Sequence, residues 1–191
     1  VSGRHTPEVG GRHTGPRIPP GSLRELGPFG WAFSRAAGRV MGTEPPAVFT
    51  TLGRARGTFT GWLHFAGRLM PFGSLSRREA EVVILTVGTR RECEYELSHH
   101  RRIGRRAGLS ADEVSSLTRG DAPPTLSERE AVLRATALAL VEDRDLDDEA
   151  WARLRSVTSE REAVELLLLA GNYDMLATVL TTLRVQPDPV R

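Results

Sequence analysis

From Ser76 onward, four serines are each followed three residues later by a glutamate, at the head of a stretch with helical periodicity. They are Ser76 with Glu79, Ser110 with Glu113, Ser127 with Glu130 and Ser159 with Glu162. In such a pair the serine hydroxyl accepts a free N–H of the first helical turn. The glutamate reaches back to the serine's own N–H, so the helix opens at a defined residue. Apolar residues then recur every three or four positions, and no run alternates with the period of two that a strand needs. The pattern predicts an all-α domain of roughly seven to nine helices.

The remaining segments fit that frame. "LRELGPFGWAFSRAAGRVMG", from Leu23, reads as one or two helices broken near Gly27 and Pro28. Pro45 and Pro46 open one or two more, through about Met70. "ECEYELSHHRRIGRRAG" closes on Gly108, a suitable residue just past a helix end. "DDEAWARLRSV" is a further short helix, and the last runs from Ser159 to about Val185. Residues 1–22 are rich in glycine and proline and repeat "GRHT" at 3–6 and 11–14. They carry too little apolar surface to offset ordering, which predicts a flexible arm with His5 and His13 solvated. The chain thus divides into an arm (1–22), one helical domain (23–185) and a short non-helical tail (186–191).

Composition excludes several classes. The formal net charge of +2 is too small to argue for nucleic acid by itself. The chain has no lysine, which removes Schiff-base chemistry. Its one cysteine, Cys93, allows neither an internal disulfide nor a CxxC redox pair. No stretch reaches the roughly 18 apolar residues of a membrane span, and the N-terminus lacks the apolar core of a signal peptide. The expectation is a soluble cytoplasmic protein with no membrane, nucleic-acid or cofactor partner.

Chemistry concentrates in "ECEYELSHH", residues 92–100, which holds Cys93, three glutamates, Tyr95 and adjacent histidines. At about 100° per helical residue, Glu96 and His100 fall within about 60° of Cys93. Leu97, Ile103, Gly104 and Ala107 share that face, whereas Arg101, Arg102, Arg105 and Arg106 lie on the wet side. On the preceding helix Glu81 sits among Ile84, Leu85 and Gly88, and Glu79 points the other way. A short connection at 88–92 would fold the two helices together and bring Glu81 toward Cys93, Glu96 and His100. A thiol, an imidazole and two carboxyls around one cavity would share protons, with pKa values near neutrality. Tyr95 and His99 fall off the main face and read as flanking structure at the pocket edge. His64, in "GWLHFAG", reads as a core or interface histidine beside Trp62 and Phe65, and as a further candidate for the pocket wall with Tyr95 and His99.

The residues "SRREAEVVIL", "ECEYELSHH" and "AGLS" together resemble the carboxymuconolactone decarboxylase family, which includes the alkylhydroperoxidase D-like (AhpD-like) proteins. The late "ELLLLAGNYDMLATVLTTLRV" also resembles that family's last helix, so the likeness spans roughly residues 40–185. On the family pattern Glu81 is the family glutamate and Cys93 stands at the first-cysteine position. Tyr95 and Glu96 form the "YE" of members without the second cysteine, and His100 holds the family histidine position. The resemblance implies an all-helical AhpD-like bundle, a homo-oligomer, and a buried site near a subunit interface. It implies either a two-cysteine disulfide cycle, which one cysteine cannot perform, or acid–base work on a small carboxylated lactone.

Four readings follow. The first is a decarboxylase-like lyase or related isomerase acting on an anionic small molecule. In it Glu96 and His100 move protons, Glu81 orients His100, and Cys93 lines the pocket. The second is a one-cysteine peroxidase acting through Cys93. The third is a helix-turn-helix at 103–120, whose second helix opens with Asp112 and Glu113, the wrong charge for phosphates. The fourth is a metal site at Glu81, Glu96 and His100. The Glu-x-x-His spacing of di-iron bundles occurs at Glu96 and His99 without a second copy, so no metal is expected.

Overall fold

The computed structural model describes residues 15–189. Among them are nine α-helices: α1 Leu23–Met41, α2 Ala47–Leu52, α3 Gly57–Leu69, α4 Arg77–Arg90, α5 Glu94–Arg106, α6 Ala111–Arg119, α7 Glu128–Glu142, α8 Asp148–Val157 and α9 Glu160–Leu183. A short 3-10 turn, Gly53–Ala55, joins α2 to α3. The expected break at Gly27 is a kink inside α1, where Gly27 takes φ 72°. All four predicted serine–glutamate caps form, each with the serine hydroxyl accepting and the glutamate reaching back.

Helix α4 is the axis of the domain, packed against α5, α6, α7 and α9. It is buried on all sides from Ala80 to Gly88. That suits its nearly continuous "VVILTV" run rather than a one-sided stripe. Each fully buried aliphatic side chain there contributes about 1.5–3 kcal/mol relative to exposure. One face meets Leu133, Ala137 and Leu166 of α7 and α9. The other meets Leu97 of α5, Leu109 of the α5–α6 connection, and Val114 and Leu117 of α6. The helix-turn-helix-like segment is therefore a packing unit on α4.

Helix α9 is long and apolar enough by composition to cross a membrane, which the sequence count did not register. More than half of its most apolar window is buried within the domain. It packs on α4, α7 and α3.

Two glycines set how closely α5 approaches α4. A Cβ at Gly104 would stand 3.0 Å from Leu109 Cδ1 and 3.3 Å from Leu85 Cδ1. One at Gly88 would stand 3.3 Å from Leu97 Cδ2. The close crossing lets side chains from one turn of α4 reach those of α5.

Residues 1–14, with His5, His13 and both "GRHT" repeats, lie outside the described residues. The rest of the predicted arm is fastened to the chain's own body. The Arg17 N–H donates to Leu183 O at 2.9 Å, and the Gly21 N–H to Thr50 O at 2.8 Å.

Candidate active site

Glu81 comes from the first half of α4, and His100 from the middle of α5. His100 Nδ1 hydrogen-bonds Glu81 Oε2 at 2.7 Å. Glu81 is fully buried. Its other oxygen, Oε1, has no hydrogen-bond partner and faces Arg77 Nε at 3.5 Å. Tyr173 of α9 meets the His100 ring edge-on, with centroids 5.2 Å apart and planes at 86°. The imidazole is thus clamped by a carboxylate on one nitrogen and an aromatic ring at its side. This leaves Nε2 available to a cavity.

That cavity holds about 400 Å3 and lies among α1, α2, α3, α5 and α9. Its polar lining includes Tyr95, Glu96, His99, His100, Asn172 and Tyr173. The remainder is mostly apolar and aromatic, with Phe33, Phe49, Trp62 and Leu176 prominent. The Trp62 indole N–H donates to Asn172 Oδ1 at 3.0 Å, which fixes both side chains at the wall.

Glu96 is 3% exposed, and neither carboxyl oxygen has a hydrogen-bond partner. Burial, reinforced by the nearby Asp174 charge, pushes this carboxyl well above the usual carboxylate range and favours the neutral acid. Burial likewise raises the Tyr173 phenol, with Glu81 and Glu96 adding to it, so its hydroxyl keeps its proton. The cavity therefore combines a held imidazole with two neutral O–H donors, the arrangement general acid–base chemistry uses.

Cys93 departs from the expected geometry. Helix α5 starts one residue later, at Glu94, because the chain turns at Glu92 with φ 52°. Cys93 is then the N-cap residue, with φ −86° and ψ 87°, and the helical angle count does not apply to it. Its side chain is buried with Val48, Leu176, Ala177 and Leu180, and it is not among the cavity-lining residues. Burial first, then Glu96, push the thiol up to about 11. At neutral pH it is a thiol, not a thiolate nucleophile.

His64 is exposed and absent from the cavity wall, so it is neither core nor pocket. Tyr95 and His99 are the reverse case. Both are buried, line the cavity and meet a residue the sequence did not flag, Asp188 of the tail. The Tyr95 hydroxyl donates to Asp188 Oδ2 at 2.6 Å and accepts the Val48 N–H at 3.0 Å. His99 Nε2 lies 2.9 Å from the same Oδ2. The Arg102 guanidinium, which can only donate, stands 3.4 Å from His99 Nδ1. That assigns the ring proton to Nε2, shared with Asp188. The Ala47 N–H completes the set by donating to Asp188 Oδ1 at 2.9 Å. These long-range contacts pin the tail to α5 and α2 beside the cavity. Tyr173 and Asn172 were also missed. Their one sequence signal is a polar triplet, "NYD", interrupting the apolar α9.

Among the described residues, no group of three or more histidine, cysteine, aspartate or glutamate side chains is arranged to hold a metal.

Comparison with known proteins gives concordant results. Residues 57–139 match the model of the carboxymuconolactone decarboxylase family, a span narrower than the sequence resemblance but containing Glu81, Cys93, Glu96 and His100. No curated protein matches the chain. Among solved structures, an uncharacterized peroxidase-related protein from Ralstonia eutropha JMP134, described as an alkylhydroperoxidase AhpD core, is 21% identical with a TM-score of 0.74. The match covers 90% of this chain and 92% of that one. A peroxidase-related protein from Silicibacter sp. TM1040 is 17% identical with a TM-score of 0.75, covering 85% and 86%. The debrominase Bmp8 is 17% identical with a TM-score of 0.76, covering 91% and 92%. At these identities the likenesses are of fold. Residues 57–139, from α3 into α7 and with the one cysteine among them, are thus similar to the carboxymuconolactone decarboxylase family, and the all-helical fold around them is AhpD-like.

Proposed function

We propose that this protein is a small-molecule enzyme that moves protons, a decarboxylase-like lyase or related isomerase. Its substrate is a compact unsaturated carbonyl compound bearing a carboxylate. The observation that carries this reading is the pairing of a Glu81-held His100 with a neutral Glu96 on one mostly apolar cavity, with the thiol set back from it. Nε2 of His100 takes a proton from a carbon next to the carbonyl, and Glu96 or Tyr173 donates a hydrogen bond to the developing oxyanion. In a decarboxylation the C–C bond to the carboxylate breaks and its electrons enter the conjugated carbonyl. Carbon dioxide leaves, and the resulting carbanion takes a proton from the same acid–base pair. A dry, aromatic wall strengthens each of these electrostatic contacts.

The peroxidase-related names of two structural neighbours favour testing a second reading, one-cysteine peroxide reduction at Cys93. Burial and the raised thiol pKa count against it. Bmp8 was also solved, as a cysteine-to-alanine variant, with 2,3,4-tribromopyrrole, which supports a compact ring as the kind of body this fold accommodates. A homo-oligomer is part of the proposal. Phe72, which lines the cavity, is 75% exposed and offers apolar surface for a second subunit.

The test follows carboxymuconolactone decarboxylation and thiol-dependent hydroperoxide reduction in wild type, His100→Ala and Cys93→Ser. The lyase reading expects decarboxylation to fall about 10²–10⁴-fold in His100→Ala and to change less than about threefold in Cys93→Ser. Hydroperoxide turnover abolished by Cys93→Ser, with no decarboxylation in wild type, would replace it with the thiol reading.

A further inference from the structure

Beside the cavity lies a groove of about 230 Å3 between the C-terminal end of α1 and the outer side of α5. Its polar wall is Arg77, Arg102, Arg106 and His99. Met41, His99 and Ile103 line the groove and the cavity alike, so the two spaces are neighbours across a shared partition.

The three guanidinium groups differ from most others in the molecule. Arg78 pairs with Glu113 and Glu130, Arg129 with Glu79 and Glu162, and Arg91 and Arg144 with Asp174. In the groove, Arg77 has only the 3.5 Å approach to Glu81 Oε1. Arg102 has only the 3.4 Å contact with the neutral-side nitrogen of His99, and its Nε is buried with no partner. Arg106 has no hydrogen bond or ion pair among the described residues. The carboxylates that face this set are already engaged behind it, Glu81 with His100 and Asp188 with Tyr95 and His99. Three cations lining one groove repel one another unless an anion lies between them, and guanidinium forks match a carboxylate's two oxygens. The main cavity, by contrast, has no arginine in its wall.

We propose that the groove is the anion half of the substrate site. The ligand is a carboxylate on a short arm. Its apolar body lies in the cavity, and its carboxylate passes His99 and Ile103 to Arg102 and Arg106, with Arg77 as the third cation. The proposal rests on the reading of the cavity as the substrate site, and it names which arginines select the substrate. Arg77 also connects the two halves, because its Nε faces the carboxylate that holds His100.

The experiment measures binding of ω-phenylalkanoates, from benzoate to 5-phenylpentanoate, and of the matching neutral alcohols by calorimetry. It uses wild type, Arg102→Gln, Arg106→Gln and the double variant, each checked for folding by circular dichroism. At the chain length that spans the partition, the carboxylate binds at least about tenfold more tightly than its alcohol, and added salt reduces the advantage. The double variant keeps alcohol binding and lowers the carboxylate advantage to about twofold. Equal affinity of acids and alcohols, absence of binding by the whole series, or a preference that survives both substitutions overturns the proposal. The lyase reading fails separately. A carboxylate preference that depends on Arg102 and Arg106, together with decarboxylation that ignores His100→Ala, keeps the groove and removes the chemistry. Turnover that needs His100 but binds acids and alcohols equally removes only the groove.

Discussion

Glu79 and Glu81 stand two residues apart on α4 and belong to two different regions of charge. Glu79 caps its own helix through Ser76 and pairs with Arg129. Although burial opposes it, those partners hold the carboxyl below the usual range. Arg129 also holds Glu162, and Arg78 joins Glu113 to Glu130, so two arginines cross-link the capping boxes of α4, α6, α7 and α9. Glu113 is drawn down to about 2, chiefly by Arg78. On the other side of α4 the carboxyls are deeper and have fewer partners. Glu81 holds an imidazole, and Glu96 has nothing polar bonded to it and is pushed up by burial. The same side chain is held as an anion where arginine and its own cap bond it, as at Glu79, and is favoured as the neutral acid where burial leaves it without a partner, as at Glu96. The cap network holds the helices together, and the cavity region keeps groups that can change protonation.

That contrast is open to direct attack. The largest effect belongs to Glu81→Gln, which keeps the volume and removes the carboxylate from His100. Turnover in the decarboxylation assay falls about 10²-fold, the scale of a disabled acid–base pair, with a far smaller change in melting temperature. Unchanged turnover would make Glu81 and His100 a structural pair and collapse the distinction between the regions. Next comes Arg78→Met, which strands two carboxylates. Urea unfolding shows a loss of about 2–3 kcal/mol, while activity per folded molecule is retained. Because the folded pKa of Glu113 is depressed, its contribution is present above the unfolded value of about 4.3 and is lost as pH falls toward 2. The wild type therefore loses stability over that window, and Arg78→Met loses less. The smallest effect is that of Glu96→Gln, where the sign reverses. A raised folded pKa means that the stabilisation is complete below about pH 4.3 and declines as pH rises through the folded value. Melting temperatures of wild type and variant coincide at low pH, and the variant gains relative to wild type with rising pH. A constant difference across pH would show that Glu96 ionises in the fold as it does in water.

The parts of this arrangement that could be read from sequence are those set by near neighbours. The four caps involve residues three apart, and helix phase alone turned Glu81, Glu96 and His100 inward. Phase counting failed at Cys93, because the positive φ of Glu92 moves the helix start and breaks the angular series. It also understated Tyr95 and His99. Those residues are buried because α2 and the tail cover a wider arc of α5 than one helical stripe. His64 departs from the core reading in the opposite sense, since its side chain is exposed on α3.

By itself, then, the sequence determined the helices, their starting residues and the inward direction of the glutamate–histidine set, because periodicity and capping act within a few residues. Only the tertiary structure decided which of these groups share a cavity and which protonation they favour. Asp188 reaches His99 from 89 residues away, and Arg91 reaches Asp174 from 83. Whether a carboxyl is buried beside an arginine or beside an aromatic wall depends on such distant pairings. That choice separates the fixed anions of the caps from Glu96 in the cavity.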